Sequence, residues 1–256
     1  MKKNLLFISI VCITICANAQ FQAGFNYSMA IPLKEMGKNI NLTHSAVVDF
    51  RYQFKKTAKN FWLGTQLGAG VYAIKTQRQL YQFSNGSTTE ADVRFTSNII
   101  NAHLIAGTDL VQSKPITPYV VAKGGLSGFY TGVYIPDPDD QGSCKPLENK
   151  NIYKDETWSA GVGAGVKIAG SKIFKKVHSD DWWIDLSANY LTGGTVNYLN
   201  VKHLMEHNDD TNFDPKGFNV SFVNVSTNEV HQHQVAEVYT SRINQLDIKL
   251  GILVRL

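Results

Sequence analysis

The chain is 256 residues long, 43% hydrophobic and 18% charged, with 20 glycines and 7 prolines, and its mean hydropathy is -0.16. These values exclude collagen, low-complexity disorder and a bundle of membrane helices, and leave room for one large all-β domain or two small ones. With 25 basic against 21 acidic residues the formal charge is +4, which is not the footprint of a nucleic-acid binder.

Residues 1–19 read as an export signal. Lys2 and Lys3 open it, Leu5 to Cys16 form an apolar stretch too short to span a bilayer, and Ala17-Asn18-Ala19 supplies a cleavage site. Acylation at Cys16 is disfavoured because Ile15, not a small residue, precedes it. Cleavage before Gln20 removes two lysines and no acid, so the mature charge falls to +2. It also removes Cys12 and Cys16, which leaves Cys144 alone and no internal disulfide to expect.

From Gln20 onward helical periodicity is scarce and period-2 alternation recurs to the end. Strands are predicted at 21–31, 44–54, 61–76, 95–111, 118–134, 157–169, 182–200 and 240–256. The connections are long at 34–43, 84–93, 136–156 and 205–239, short at 55–60 and 112–115, and intermediate at 170–181. Short turns at one end and long loops at the other predict an all-β, eight-stranded antiparallel up-and-down transmembrane β-barrel, residues 20–256, with both termini at the periplasmic end.

The alternation has a chemical sense. One register carries Phe25, Tyr27, Phe50, Leu67, Ala73, Ile100, Leu104, Leu126, Val162, Leu186, Leu250 and Val254, with no charge at any of its positions. The other carries Asp49, Arg51, His103, Asp109, Lys123, Lys167, Asp185, Asp247, Lys249 and Arg255 among Gln, Asn and Ser. With the first register on lipid and the second in the lumen, no charge meets hydrocarbon. The alternative is a soluble barrel or sandwich with the apolar register as its core. Aromatic residues near strand ends favour the membrane reading as girdles: Phe54, Phe61, Trp62, Tyr130, Tyr134, Trp158, Trp182, Trp183, Tyr190 and Tyr198.

Five basic against four acidic lumen residues predict a salt-bridge network that fills a narrow bore rather than an open ion path. Inward glycines, Gly107 and Gly165 among them, are expected to make room for Trp62, Tyr72, Tyr119 and Trp183. Within 205–239, residues 218–225 and 230–239 flank Ser226 to Glu229 and predict an extra hairpin above the membrane.

The mature chain resembles the OmpA-type eight-stranded barrels. In the Ala-Asn-Ala-Gln end of its signal and in its closing strand, Leu246 to Leu256, it resembles the PorT-like outer-membrane β-barrel family. The closing strand looks like the signal that barrel-assembly machinery reads, although Leu256 stands where an aromatic residue is usual. The resemblance implies a compartment and a fold, while its members range over anchors, adhesins, secretion components, pores and lipid-modifying enzymes.

Little in the sequence carries chemistry. His203-Leu204-Met205-Glu206-His207 matches an H-x-x-E-H zinc pattern but sits where a strand runs into a loop, and His231-x-His233 would share a face if extended. Pro136 to Asp140 lacks the offsets of a calcium loop, and no G-x-S-x-G occurs. No catalytic residue, metal site or cofactor is therefore expected. The expected role is non-enzymatic, in envelope structure or surface interaction, with loops 136–156 and 205–239 meeting a protein partner. A small pore and a lipid-modifying barrel enzyme are the alternatives.

Overall fold

A computed structural model describes residues 20–54, 59–82, 88–111, 115–136, 148–173, 181–199, 217–223 and 230–256. The strands are β1 (Gln20–Pro32), β2 (Thr43–Gln53), β3 (Phe61–Gln82), β4 (Thr88–Asp109), β5 (Ile116–Ile135), β6 (Glu148–Ala169), β7 (Trp182–Leu199), β8 (Gly217–Val223) and β9 (Val230–Arg255). Two single-turn helices, α1 (Met36–Asn39) and α2 (Gly170–Ile173), lie between β1 and β2 and between β6 and β7.

Each strand from β1 to β7 pairs antiparallel with its successor, β7 pairs with β9, and β9 returns to β1 through rungs from Gln22↔Arg255 to Pro32↔Gln245. The fold is a closed eight-stranded up-and-down barrel. Closure removes the sheet edges that a strand of this composition would otherwise expose. β8 lies outside the closed ring and pairs with residues 230–237 of β9, as the extra hairpin predicted. Its return arm is not a separate strand: it runs straight into the closing strand to make 26 residues.

The wall is taller on one side than expected. Within the segments 84–93 and 136–156, predicted as loops, residues 88–93 and 148–156 are strand, because β3 and β4 pair up to Gln82↔Thr88 and β5 and β6 up to Ile135↔Glu148. β1 and β2 stop at Ala30↔Thr43, so the β1–β2 side is low. Residues 33–42 fold inward there, and α1 inserts Met36 and Ile40, which are 1% and 2% exposed.

The exterior carries the apolar register. Leu104 is 70% exposed, Phe25 67% and Val162 64%. On β7 the outward apolar run spans 182–190 and on β9 it spans 246–254. About 9 to 11 residues is the length at which a tilted strand crosses a hydrocarbon layer. Rings of Phe21, Tyr52, Phe54 and Phe61 touch in series at the terminal end, with centroids 5.0–5.7 Å apart. At the other end Tyr27 stacks on His44 and shares a hydrogen bond with it.

Two positions, Ala73 and Tyr198, face the other way from the sequence expectation. Ala73 is buried because a bulge between Val71 and Ala73 shifts the β3 register by one, which turns Ile74 outward instead. Tyr198, expected in a girdle, is 0% exposed because it stands beyond a register shift between Thr192 and Thr195. Of the two places expected for Trp62, girdle and lumen, the structure gives the lumen, at 1% exposure after the outward Phe61. Trp62 and Tyr119 lie over the glycines opposite them on the next strand, Gly107 and Gly165. A Cβ on Gly107 would stand 2.2 Å from Trp62 Cζ2. Gly107→Ala is therefore expected to cost about 1–3 kcal/mol by overpacking, read as an earlier midpoint in denaturant unfolding.

Candidate functional site

The inward residues form two tiers. The tier nearest the termini is ionic. Asp49, fully buried on β2, accepts from Lys249 Nζ at 2.6 Å, Arg51 Nη2 at 2.8 Å, Gln66 Nε2 at 2.8 Å and Asn26 Nδ2 at 3.3 Å. Asp185 on β7 accepts from Arg51 Nη2 and from the Tyr119 hydroxyl, both at 2.5 Å, with Lys249 3.9 Å away. Lys167 meets Asp109 at 2.7 Å, and Lys123 meets Asp247 at 2.8 Å, where Ser28 donates as well. The Arg51 guanidinium lies 4.7 Å from the Trp62 ring centroid and 5.7 Å from that of Tyr119.

Eight of the nine sequence-predicted lumen charges thus come together as four cations against four anions. Arg255 does not join them. It stands at the terminal rim, 3.5 Å from Asp181 and stacked 5.0 Å over Trp183, because the strand has left the bore by its last residues. Its departure balances the interior, since every buried charge has an opposite partner at hydrogen-bond distance. That meets the charge requirement for holding ions inside a low-dielectric wall, while Arg51 Nε and Nη1 and Asp109 Oδ1 have no hydrogen-bond partner among the described residues.

The second tier, toward the long-loop end, is apolar, where a polar lumen was expected throughout. Tyr72, Phe95, Ile99, Phe129, Val133, Leu191, Val196, Tyr198 and Ile243 pack into one buried cluster, and Met36 and Ile40 of the inturned segment complete it. The inward and outward roles exchange here because the wall has risen above the apolar belt. Outside are now Arg94, Thr96, Asn98, Thr195 and Thr240, and the hydrophobic side chains turn in. The hydroxyls within the cluster are satisfied, Tyr72 donating to Leu199 O at 2.9 Å and Tyr198 sharing a bond with Ser241 at 3.0 Å.

Between the tiers, His103 Nε2 lies 2.7 Å from Ser159 Oγ, which lies 2.7 Å from Ser127 Oγ, and Ser127 donates to Asn101 Oδ1 at 2.6 Å. Sequence reading placed His103 inward without finding Ser159, since a His–Ser pair 56 residues apart leaves no local motif. No carboxylate holds His103 Nδ1, which has no hydrogen-bond partner among the described residues, and His103 and Ser159 are 4% and 1% exposed. Two cavities sit nearby. One of about 20 Å³ is lined by Ser28, Gln66, His103, Lys123 and Asp247 among others, and one of about 10 Å³ by Arg51, Trp62, Tyr119 and Lys249 among others. Each has room for about one water molecule.

Among the described residues no three His, Cys, Asp or Glu side chains are placed to hold a metal. Cys144, His203 to His207 and residues 137–140 lie outside the described residues, and His231 and His233 are described only as backbone of β9.

No protein-family model matches this chain, and neither does any curated protein sequence. Solved structures similar to it include neisserial surface protein A, at 12% identity and TM-score 0.40 over 93% of this chain and 97% of that one. The attachment invasion locus protein Ail of Yersinia pestis is similar at 10% identity and TM-score 0.33 over 93% and 97%. The outer membrane protease OmpT of Escherichia coli is similar at 7% and 0.38 over 93% and 96%. Likenesses of this size carry no substrate or partner over to this chain.

Proposed function

We propose that the chain is a bacterial outer-membrane barrel that is sealed and non-enzymatic, and that it serves envelope structure or surface interaction through the part of its wall that stands above the membrane. The observation that carries this reading is the division of the molecule. A belt of outward apolar side chains surrounds a charge-balanced ionic tier, and an apolar plug closes the end where the wall rises clear of the belt. A wall tall enough to cross a bilayer and then continue as paired strand leaves its recognition surface on that upper crown. Residues 1–19 act in this reading as the cleaved export signal, and the closing strand as the segment that assembly machinery reads. An accessory role in protein secretion, on the PorT-like resemblance, is the finer form of the proposal.

The test is fractionation followed by gel electrophoresis of heated and unheated samples. An outer-membrane band with heat-dependent mobility, beginning at Gln20, supports the reading, and recovery as a soluble protein without a shift overturns it. In planar bilayers the purified barrel is expected to show no steady conductance, because cavities of about 20 and 10 Å³ do not make a water path. Discrete channel steps would favour the pore instead.

A further inference from the structure

Above the apolar belt the backbone ladder between β6 and β7 is interrupted, which leaves a seam in the wall. The β6–β7 ladder ends at Ser159↔Gly193, yet both strands continue upward, β7 through a shift that leaves Gly193 and Gly194 unpaired with β9. Asp155 closes the top of this seam in place of a ladder, accepting from Asn197 N at 2.7 Å and from Asn197 Nδ2 at 3.0 Å. Below that clasp the seam has a glycine floor. A Cβ on Gly194 would stand 2.2 Å from Thr157 Oγ1 and 3.0 Å from Trp158 Nε1, so the indole edge and the hydroxyl occupy the space a side chain would fill.

Arg242 stands on β9 opposite Thr195, at the outer mouth of the seam. Its Nε donates to Gly193 O at 3.4 Å, and among the described residues its guanidinium makes no other polar contact. Two of the described arginines contrast with it, Arg51 being clamped by two carboxylates and Arg255 facing Asp181, while Arg94 is exposed on the outer face of β4. Height supplies the second consideration. Outward along β9, the apolar run ends at Leu246 and is followed by Asn244 and Arg242, while Tyr190 and the 52% exposed Trp158 are the topmost outward aromatics of their strands. Acyl chains lying on the belt would therefore present their headgroups at the level of Arg242.

We propose that the mouth of this seam seats the phosphate of an outer-leaflet lipid, with Arg242 as its charged ligand and Thr195 and the Trp158 indole edge beside it. Arginine suits the task because its planar fork offers paired N–H donors to phosphate oxygens, and tethering Nε to a backbone carbonyl leaves the two Nη groups to do so. This inference rests on the membrane reading above.

The experiment is native mass spectrometry of the full chain released from detergent micelles with added phosphatidylglycerol, or with diacylglycerol as the phosphate-free control. Wild type is expected to retain one phosphatidylglycerol and no diacylglycerol. Arg242→Gln should weaken retention roughly tenfold, the effect of losing one charge-assisted contact, whereas Arg94→Gln, on the same outer face over an intact ladder, should retain the lipid as wild type does. Equal retention by Arg242→Gln overturns the proposal, as does equal loss in both variants, which would mean diffuse attraction. Displacement of the lipid by millimolar inorganic phosphate would overturn the assignment to lipid. Heat-shifted mobility of each preparation on gels separates the two failures: its absence in wild type defeats the membrane reading itself, and its presence in Arg242→Gln shows that the variant is folded.

Discussion

Asp49→Ala is expected to destabilise the barrel by about 3–5 kcal/mol, the loss found when one member of a buried ion pair is removed and its partners stay behind. Asp49 has the largest consequence because Arg51, Lys249, Gln66 and Asn26 all converge on it from β1, β2, β3 and β9. Its removal leaves Lys249 with Asp185 at 3.9 Å as its remaining acidic neighbour. Equilibrium unfolding in denaturant from lipid vesicles gives the number. The cycle Asp49→Ala, Lys249→Ala and the double variant then asks whether the pair is coupled, since the double variant should lose clearly less than the sum. A loss below about 1 kcal/mol for Asp49→Ala would mean that water reaches the tier and screens it.

Leu104→Arg carries the second large effect and decides between membrane and water. Leu104 is 70% exposed, in the middle of the outward apolar run of β4. Facing hydrocarbon, an arginine there should cost about 2–4 kcal/mol when the barrel is measured in a bilayer, and much less at the belt's edges. Facing water, the same change at an exposed site should move stability by no more than about 0.5 kcal/mol in either direction. Leu110→Arg, one residue past the terminal end of the same strand, provides the depth comparison. A cost equal at both positions, or none at either, would turn the outer face toward water.

The closed barrel, the face of each strand and the residues of the ionic tier were legible because all three depend on alternation within single strands. Asp49 and Arg51 stand two apart, as do Asp185 and Ser187, and Asp247 and Lys249, so parity alone aims them inward. Parity fails where the chain inserts a residue. Nothing in the composition of Val71-Tyr72-Ala73 announces the bulge that turns Ala73 inward, and the same holds for the shift near Gly193 that aims Tyr198 at the lumen. The apolar plug was missed for a different reason. Apolar-outside is the pattern expected of a wall in lipid, but above the belt the exterior is polar, with Arg94 and Asn98 facing out, and the hydrophobic side chains, Phe95 and Val133 among them, turn in as in a sheet with one solvated face. The pairings themselves were out of reach, since which lysine meets which aspartate depends on the stagger between strands and not on any one strand's pattern.

The ladder that joins β1 to β9 has a consequence in time. Its rungs couple Gln22 to Arg255, and the bonds around it span nearly the whole chain, 219 residues between Ser28 and Asp247 and 200 between Asp49 and Lys249. None of these contacts can exist until the last residues have been synthesised and delivered, so ring closure is a late event, with the slow kinetics of distant pairing. Until then β1 and β9 are open edges, and Asp49 and Lys249 lie on different sides of the breach. The ionic tier therefore works as the fastening of the ring: its charges leave water when the two ends meet, and a chain cut short of Lys249 would have strands without a circle.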